Sequence, residues 1–237
     1  MIRVGLLQCD DLDPPHRDLE GGYVEQFTRL LATGGLAAAD VDLRVFRVDH
    51  GEHPGAASEC DGWVITGSRA GVYEQHDWIP PLVGLVRSAI EERVPTVGVC
   101  FGHQLVAHAL GAPVSQFADG WNIGALEYRV CAPPPGDPDL SPFRLVAIHQ
   151  DQVHAVPEGL SLLATGDTCA VAGMVGPGVL TVQGHPEFGP AVAESLYRRR
   201  ARHFGDAAVE RAVTSLEESL STGRVASWMV TTLTGSG

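Results

Sequence analysis

Val94-Pro95-Thr96-Val97-Gly98-Val99-Cys100-Phe101-Gly102-His103-Gln104 decides how the chain folds. Its first half is apolar apart from Pro95 and Thr96, and it leads into Leu105-Val106-Ala107-His108-Ala109-Leu110. That order reads as a buried strand, a sharp turn with cysteine at its apex, then a helix. Gly98 and Gly102 let the backbone bend tightly, so the sulfur stands clear at the end of a sheet. The helix that follows points its N-terminus at the thiol, and its partial positive charge favours thiolate, the nucleophile. Taken alone, the same residues also suit a buried structural cysteine, because free cysteine is among the most buried residue types.

A second segment changes that balance. Val179-Leu180-Thr181-Val182-Gln183 is another short apolar run, and it ends in Gly184-His185-Pro186-Glu187-Phe188. A cysteine nucleophile needs a base, usually histidine, and a third group to hold the imidazole in the right tautomer. His185 and Glu187 are two apart, so in extended chain their side chains lean to one side. Pro186 stiffens the segment and biases His185 towards extended geometry. Cys100, His185 and Glu187 therefore make a chemically sensible triad, although spacing alone does not bring the two loops together.

Working outward, the chain alternates strands with helices. Residues 2–7 read as a strand, 19–33 as a helix ended by Gly34-Gly35, 42–48 and 62–66 as strands, and 80–93 as a helix opened by Pro80-Pro81. This rhythm predicts an α/β fold, a mostly parallel central sheet flanked by helices. Between residues 112 and 180 it gives way to strands with Pro/Gly turns, a small antiparallel excursion in which residues 131–138 form a surface loop. Residues 190–204 and 206–221 read as helices, and 231–237 as a frayed end. The whole of 1–237 is expected to be one domain, with a core over about 1–204 and a helical extension over about 205–237.

Composition agrees with a compact enzyme: 237 residues, 44% hydrophobic and 19% charged. A net charge of −13 argues against nucleic acid, whose phosphates need basic patches. The Arg198-Arg199-Arg200 run with Arg202 reads as a solvated helix face. No stretch approaches the roughly 20 apolar residues of a membrane span, and the first residues lack the layout of a signal peptide. Five cysteines without metal-type pairing fit a reducing cytoplasm, with Cys9, Cys60, Cys131 and Cys169 structural. Neither a metal nor a cofactor is expected.

The elbow at Gly98–Gln104 together with Gly184-His185-Pro186-Glu187 resembles the class I, triad-type glutamine amidotransferases. The likeness runs from Ile2 to about Phe188 in the expected order. Within that family the chain is similar to stand-alone, GMP-synthase-like proteins, a group that includes plant γ-glutamyl peptidases. Ile65-Thr66-Gly67-Ser68-Arg69-Ala70-Gly71-Val72-Tyr73 and His149-Gln150-Asp151-Gln152-Val153 carry the likeness to this group. The resemblance implies the family's flavodoxin-like architecture, with Cys100 as nucleophile, His185 as base and Glu187 as orienter. It puts oxyanion donors at the backbone N–H of Phe101 and of Ser68 or Gly67, and substrate contacts at Gln104, Gln150 and Asp151. Many relatives have proline after the matching serine, where this chain has Arg69, which leaves the second donor less defined.

Three functions follow. One is a glutaminase that releases ammonia for a separate synthase subunit. Another is a γ-glutamyl peptidase acting on γ-glutamyl compounds. The third, disfavoured by the intact triad, is a non-catalytic binding protein on the same scaffold.

Overall fold

In the computed structural model, which describes residues 1–235, the strand ahead of Cys100 lies inside a nine-stranded sheet. The first four strands are β1 (Ile2–Gln8), β2 (Val41–Arg47), β3 (Gly62–Ile65) and β4 (Thr96–Val99). From the later part of the chain come β6 (Asn122–Val130), β7 (Phe143–His149), β9 (Ser161–Gly166), β10 (Cys169–Gly176) and β11 (Val179–Val182). Their order across the sheet is β2-β1-β3-β4-β11-β10-β9-β6-β7. β2, β1, β3, β4 and β11 pair in parallel, and the remaining strands continue the sheet antiparallel. A small separate antiparallel pair joins β5 (Val114–Gln116) to β8 (Asp151–Val153).

Parallel strands covered on both faces must be apolar on both faces, and β3 and β4 are. Every residue of each is buried. In register, Val97 lies between Val64 and Leu180, all three without solvent contact. Alternation along β3 sends Val64 into one core and Trp63 and Ile65 into the other. One face is covered by α3 (Ile79–Glu91) and α4 (Phe101–Ala109). The other is covered by α2 (Tyr23–Thr33) and α8 (Thr222–Thr234), while α5 (Pro190–Arg199), α6 (Ala201–Phe204) and α7 (Asp206–Ser215) stand by the antiparallel half.

Two helices differ from the sequence reading. The helix expected over 19–33 is two, α1 (Pro14–Glu20) and α2, because Gly21 takes φ +82° and stops the first. The Glu25 carboxylate then accepts the Gly22 N–H at 2.9 Å and restarts the helix. At the other terminus, the end read as frayed over 231–237 is helical through Thr234, while Ser236 and Gly237 lie outside the described residues. Thr232 and Leu233 are buried. Thr232 Oγ1 donates to the Trp228 carbonyl at 2.8 Å, so a polar-looking segment can be packed without an orphan hydroxyl. Trp228 stands edge-on to Phe143 at 5.1 Å and donates its Nε1–H to Asp137, which also pairs with Arg224. This ties the surface loop at 131–138 to α8.

The helix expected over 190–204 breaks at Arg200, and that over 206–221 stops at Ser215. The loops that follow β1, β3, β4 and β11 leave the carboxyl ends of parallel strands, the edge where ligands bind in open α/β sheets.

Candidate active site

β4 delivers Cys100 at φ +52°, ψ −101°, a conformation that L-residues with a side chain rarely adopt. The surroundings hold it there. Cys100 N–H donates to the Val182 carbonyl at 2.9 Å, and the Cys100 carbonyl accepts the Gln104 N–H at 3.1 Å. The turn closes so tightly that a Cβ on Gly98 would meet the Gly102 carbonyl oxygen at 2.5 Å, and one on Gly102 would meet that of Ile65 at 2.5 Å. These contacts explain the glycine spacing.

β11 runs parallel beside β4, so the chain leaving it returns to the same edge. His185 N–H donates to Val146 of β7 at 2.8 Å, which fixes the backbone of that loop. Its ring stacks on Phe188 with centroids 4.4 Å apart and planes at 10°, and Nδ1 lies 2.7 Å from Glu187 Oε1. Both side chains are buried. Burial is the largest single influence on His185 and would push its pKa down. Attraction to Glu187, then Cys100, overrides it and raises the imidazole to about 10. Nε2 makes no hydrogen bond of normal length among the described residues.

Of the two neighbouring histidines, neither matches this environment. His103 faces the Thr181 hydroxyl at 2.8 Å and the Val171 carbonyl at 3.0 Å, and burial pushes it down to about 4. His149 is pushed down to about 3, again mainly by burial, with Nδ1 3.3 Å from the Asp151 carbonyl.

The backbone N–H groups of Phe101, Gly67 and Ser68 find no acceptor among the described residues. For Phe101 this follows from its place in the first turn of α4. Ser68 turns its hydroxyl to the Ala70 N–H at 3.1 Å, which shapes the loop. Arg69 stands where proline would remove a bond that this chain makes: its N–H donates to Asp10 at 2.9 Å, and its guanidinium grips the same carboxylate at 2.8 and 2.9 Å. Gly67 has a packing role as well. A Cβ there would sit 2.9 Å from His185 Cε1. Gly67→Ala is therefore expected to displace the imidazole and lower turnover about 100-fold, with the unfolding temperature little changed. Steady-state kinetics beside a thermal melt check this, and an unchanged turnover would show that the ring does not depend on Gly67.

A pocket opens above the elbow, and Cys100, His185, Ser68, Gln104, Gln150 and Asp151 all line it. Glu187 sits behind His185. On one side Gln104 Nε2 donates to the Asp151 carbonyl at 2.8 Å and to Gln183 Oε1 at 3.2 Å, and Gln183 Nε2 lies 3.7 Å from Cys100 Sγ. The Asp151 carboxylate accepts the Tyr73 hydroxyl at 3.0 Å. Burial, with Glu74 adding to it and Tyr73 opposing, holds the Asp151 carboxyl above its ordinary range. Tyr73 and Trp121 both wall the pocket.

Three lining or adjoining residues escape the sequence reading. Gln183 is a fully buried amide at the end of an apolar strand, two positions before His185, and that contrast is its signal. Tyr23 opens α2 behind Gly21-Gly22, stacks on Phe188 at 6.2 Å, and is held well above its ordinary pKa by burial and then by Glu187. Arg200 corrects the expectation of a solvated arginine face. α5 ends there, at φ −105° and ψ +16°, so the run does not continue one helical face. Arg198 stays outside with Glu194 and Glu210, whereas Arg200 lines the pocket.

Among known proteins, the family model described as glutamine amidotransferase class-I matches residues 23–202. Gamma-glutamyl peptidase 3 of Arabidopsis thaliana is 28% identical over 189 residues, covering 76% of this chain and 74% of that protein. A glutamine-hydrolysing GMP synthase of Cupriavidus pinatubonensis is 31% identical over 137 residues, 53% of this chain but 24% of that protein. In fold, the crystal structure of a glutamine amidotransferase from Methylobacillus flagellatus superposes with a TM-score of 0.76 at 18% identity, over 99% of this chain and 95% of that one. No helix among the described residues is long and apolar enough to cross a membrane. A match over most of the chain, on the segment that carries the elbow, the Gly67–Ser68 turn and the Gly-His-Pro-Glu loop, places this chain in the class I glutamine amidotransferase family.

Proposed function

We propose that the chain hydrolyses the γ-carboxamide of glutamine, or the equivalent bond of a γ-glutamyl compound, through a thioester on Cys100. The observation that carries this reading is the strained Cys100 beside a buried, glutamate-paired His185 at one sheet edge. With the thiol proton already held on His185 Nε2, the Cys100 thiolate attacks the γ-carbonyl carbon, and Glu187 steadies the imidazolium through Nδ1–H. The oxyanion falls to the unengaged N–H groups of Phe101 and of Ser68 or Gly67. Loss of one such donor costs about 2.7–4 kcal/mol of barrier. The C–N bond then breaks, the proton held by His185 passes to the nitrogen, and the amine departs. Water attacks the thioester after giving a proton to His185, which returns it to sulfur as glutamate leaves.

Substrate holding is read from the other lining groups. Asp151, with its carboxyl partly starved of solvent, suits the α-ammonium group, which would restore its charged form. Gln150 offers backbone groups to the α-carboxylate end, and Gln104 fixes the Asp151 backbone through its amide.

With glutamine as substrate the departing amine is ammonia, and a synthase carried on a separate chain would consume it. The second reading is a γ-glutamyl peptidase, favoured by a pocket whose lining takes in Trp121, Leu196 and Arg200 as well as Cys100, more than ammonia needs. Five free cysteines agree with a reducing cytoplasm.

Incubation with a glutamine-like diazo-ketone, followed by intact mass and peptide mapping, tests the thioester. A single adduct on Cys100, blocked by glutamine or a γ-glutamyl dipeptide, is expected. Failure to label Cys100 under every substrate condition would sink the reading.

A further inference from the structure

The pocket carries charge at two separate ends. At one, Asp151 has Tyr73 and Glu74 for its charged and polar neighbours. At the other, Arg200 has Arg69, Tyr23, Asp10 and Asp13. Tyr23, which lines the pocket with Arg200, stacks on Phe188 as His185 does, whereas Asp151 is held by Gln104 of α4, so the cationic end is read on the His185 side of the nucleophile. A γ-glutamyl group anchored by its ammonium at Asp151, with its γ-carbon at Cys100, sends its leaving group that way.

Arg200 is equipped to receive an anion there. Its backbone N–H closes the end of α5 on the Leu196 and Tyr197 carbonyls at 3.2 Å, which fixes where the side chain begins. Among the described residues that line the pocket, it is the one permanent cation whose side chain makes no hydrogen bond or ion pair. The carboxylates near it are engaged elsewhere. Asp10 is held twice by the Arg69 guanidinium, Asp13 lies 3.5 Å from the same group, and Asp11 pairs with Arg47 at 2.9 Å. Burial and the repulsion of Arg69 both press against the Arg200 charge, so a ligand carboxylate would relieve it. A planar guanidinium with five N–H donors suits a carboxylate in bidentate fashion. Trp121, in the same lining, is 39% exposed and held edge-on by Phe204 at 5.2 Å, a flat wall for an organic leaving group.

We propose that Arg200 binds the carboxylate of the amine-bearing half of the substrate, so that the leaving group accepted here is an α-amino acid or a peptide. This rests on thioester chemistry at Cys100 and selects the γ-glutamyl reading of it. The bond broken is the γ-glutamyl C–N bond. Its nitrogen takes the proton from His185 and leaves as the amino group of the released amino acid, and water supplies the atoms that free the glutamate.

The test compares γ-glutamylglycine with γ-glutamylglycinamide, which differ only in that carboxylate. The unaltered protein is expected to favour the acid by about tenfold or more in kcat/KM, chiefly through KM. Arg200→Gln should bring the ratio close to one, and Arg200→Lys should recover part of it. A ratio near one in the unaltered protein overturns the proposal without any variant. So does an Arg200→Gln variant in which both substrates weaken in parallel, because Arg200 would then hold the glutamyl carboxylate that the two share. If the diazo-ketone labels Cys100 and glutamine is hydrolysed while neither dipeptide is cleaved, the thioester stands and the subsite falls. If Cys100 is never labelled, the thioester falls, and calorimetry on the Cys100→Ala protein judges the subsite alone. Binding of the acid about tenfold tighter than the amide supports it, and equal binding removes it.

Discussion

Cys100→Gly is expected to give an inert protein that is at least as stable as Cys100→Ala, the reverse of the usual order. At an ordinary position glycine costs about 0.5–1 kcal/mol relative to alanine, because it loses more backbone freedom on folding. Position 100 is not ordinary. A φ of +52° with ψ of −101° is near the strained γ-turn geometry, where a Cβ is crowded by its own backbone. Such a conformation costs on the order of 1–3 kcal/mol when a side chain is present. Glycine relieves that strain and alanine keeps it, while both lose the sulfur. The difference therefore falls between about 0 and 2 kcal/mol in favour of glycine. For a chain of this size each kcal/mol is worth about 2–4 °C of unfolding temperature. Both variants should lose hydrolysis by at least roughly 10⁴-fold, since the covalent step has no nucleophile. Thermal unfolding of the two proteins side by side decides the matter. If the alanine variant melts higher by the ordinary margin, the elbow is not strained, and exposure of the sulfur must be explained without stored backbone energy.

The elbow was legible from sequence because its constraint is local. Gly98 and Gly102 flank Cys100 within five residues, and the close approaches that demand them involve the elbow itself and the neighbouring strand. His185 and Glu187 were legible for the same reason, since a two-residue spacing already fixes which side they share. Arg200 was not. Whether it faces solvent or the pocket depends on where α5 ends, and three consecutive arginines carry no periodicity that marks such a break. The end of α8 was hidden because Thr231, Thr232 and Thr234 look polar, whereas the helix absorbs the hydroxyls of Thr232 and Thr234. Thr232 and Thr234 each bond the carbonyl four residues back. Gly21-Gly22 carries the same helix-ending signal as Gly34-Gly35. Inside a longer helical pattern that signal does not stand out, and neither does the place of Tyr23 against Phe188, on which His185 also stacks.

Glu187→Gln should leave the fold intact and lower turnover by roughly 10³–10⁴-fold. The amide can still meet Nδ1 at the position of Oε1, so orientation is largely kept and the charge alone is removed. That charge matters because of what opposes it. Burial is the largest influence on His185 and works against protonation, and Glu187 is the largest influence in its favour. Without the carboxylate the imidazole loses the largest influence that holds its proton against burial, so it becomes a weaker acceptor for the thiol proton. The same influence should appear in stability. In the native state the histidine is raised to about 10, against an ordinary 6.5 when unfolded. A raised group contributes stability that is fully present below 6.5 and lost as pH rises towards 10, because the native state there holds a proton that the unfolded chain has released. In the Cys100→Ala protein, chemical unfolding should show stability falling towards pH 8 with a slope that approaches 1.4 kcal/mol per pH unit, roughly one proton, whereas nearer pH 6.5 the buried His103 and His149, held low, add the opposite slope. Measured in a Cys100→Ala background, where no thiol faces the ring, Glu187→Gln should flatten that slope. A variant that keeps both the slope and the turnover would mean that His185 owes its proton to some other group, and the proposed triad would lose its third member.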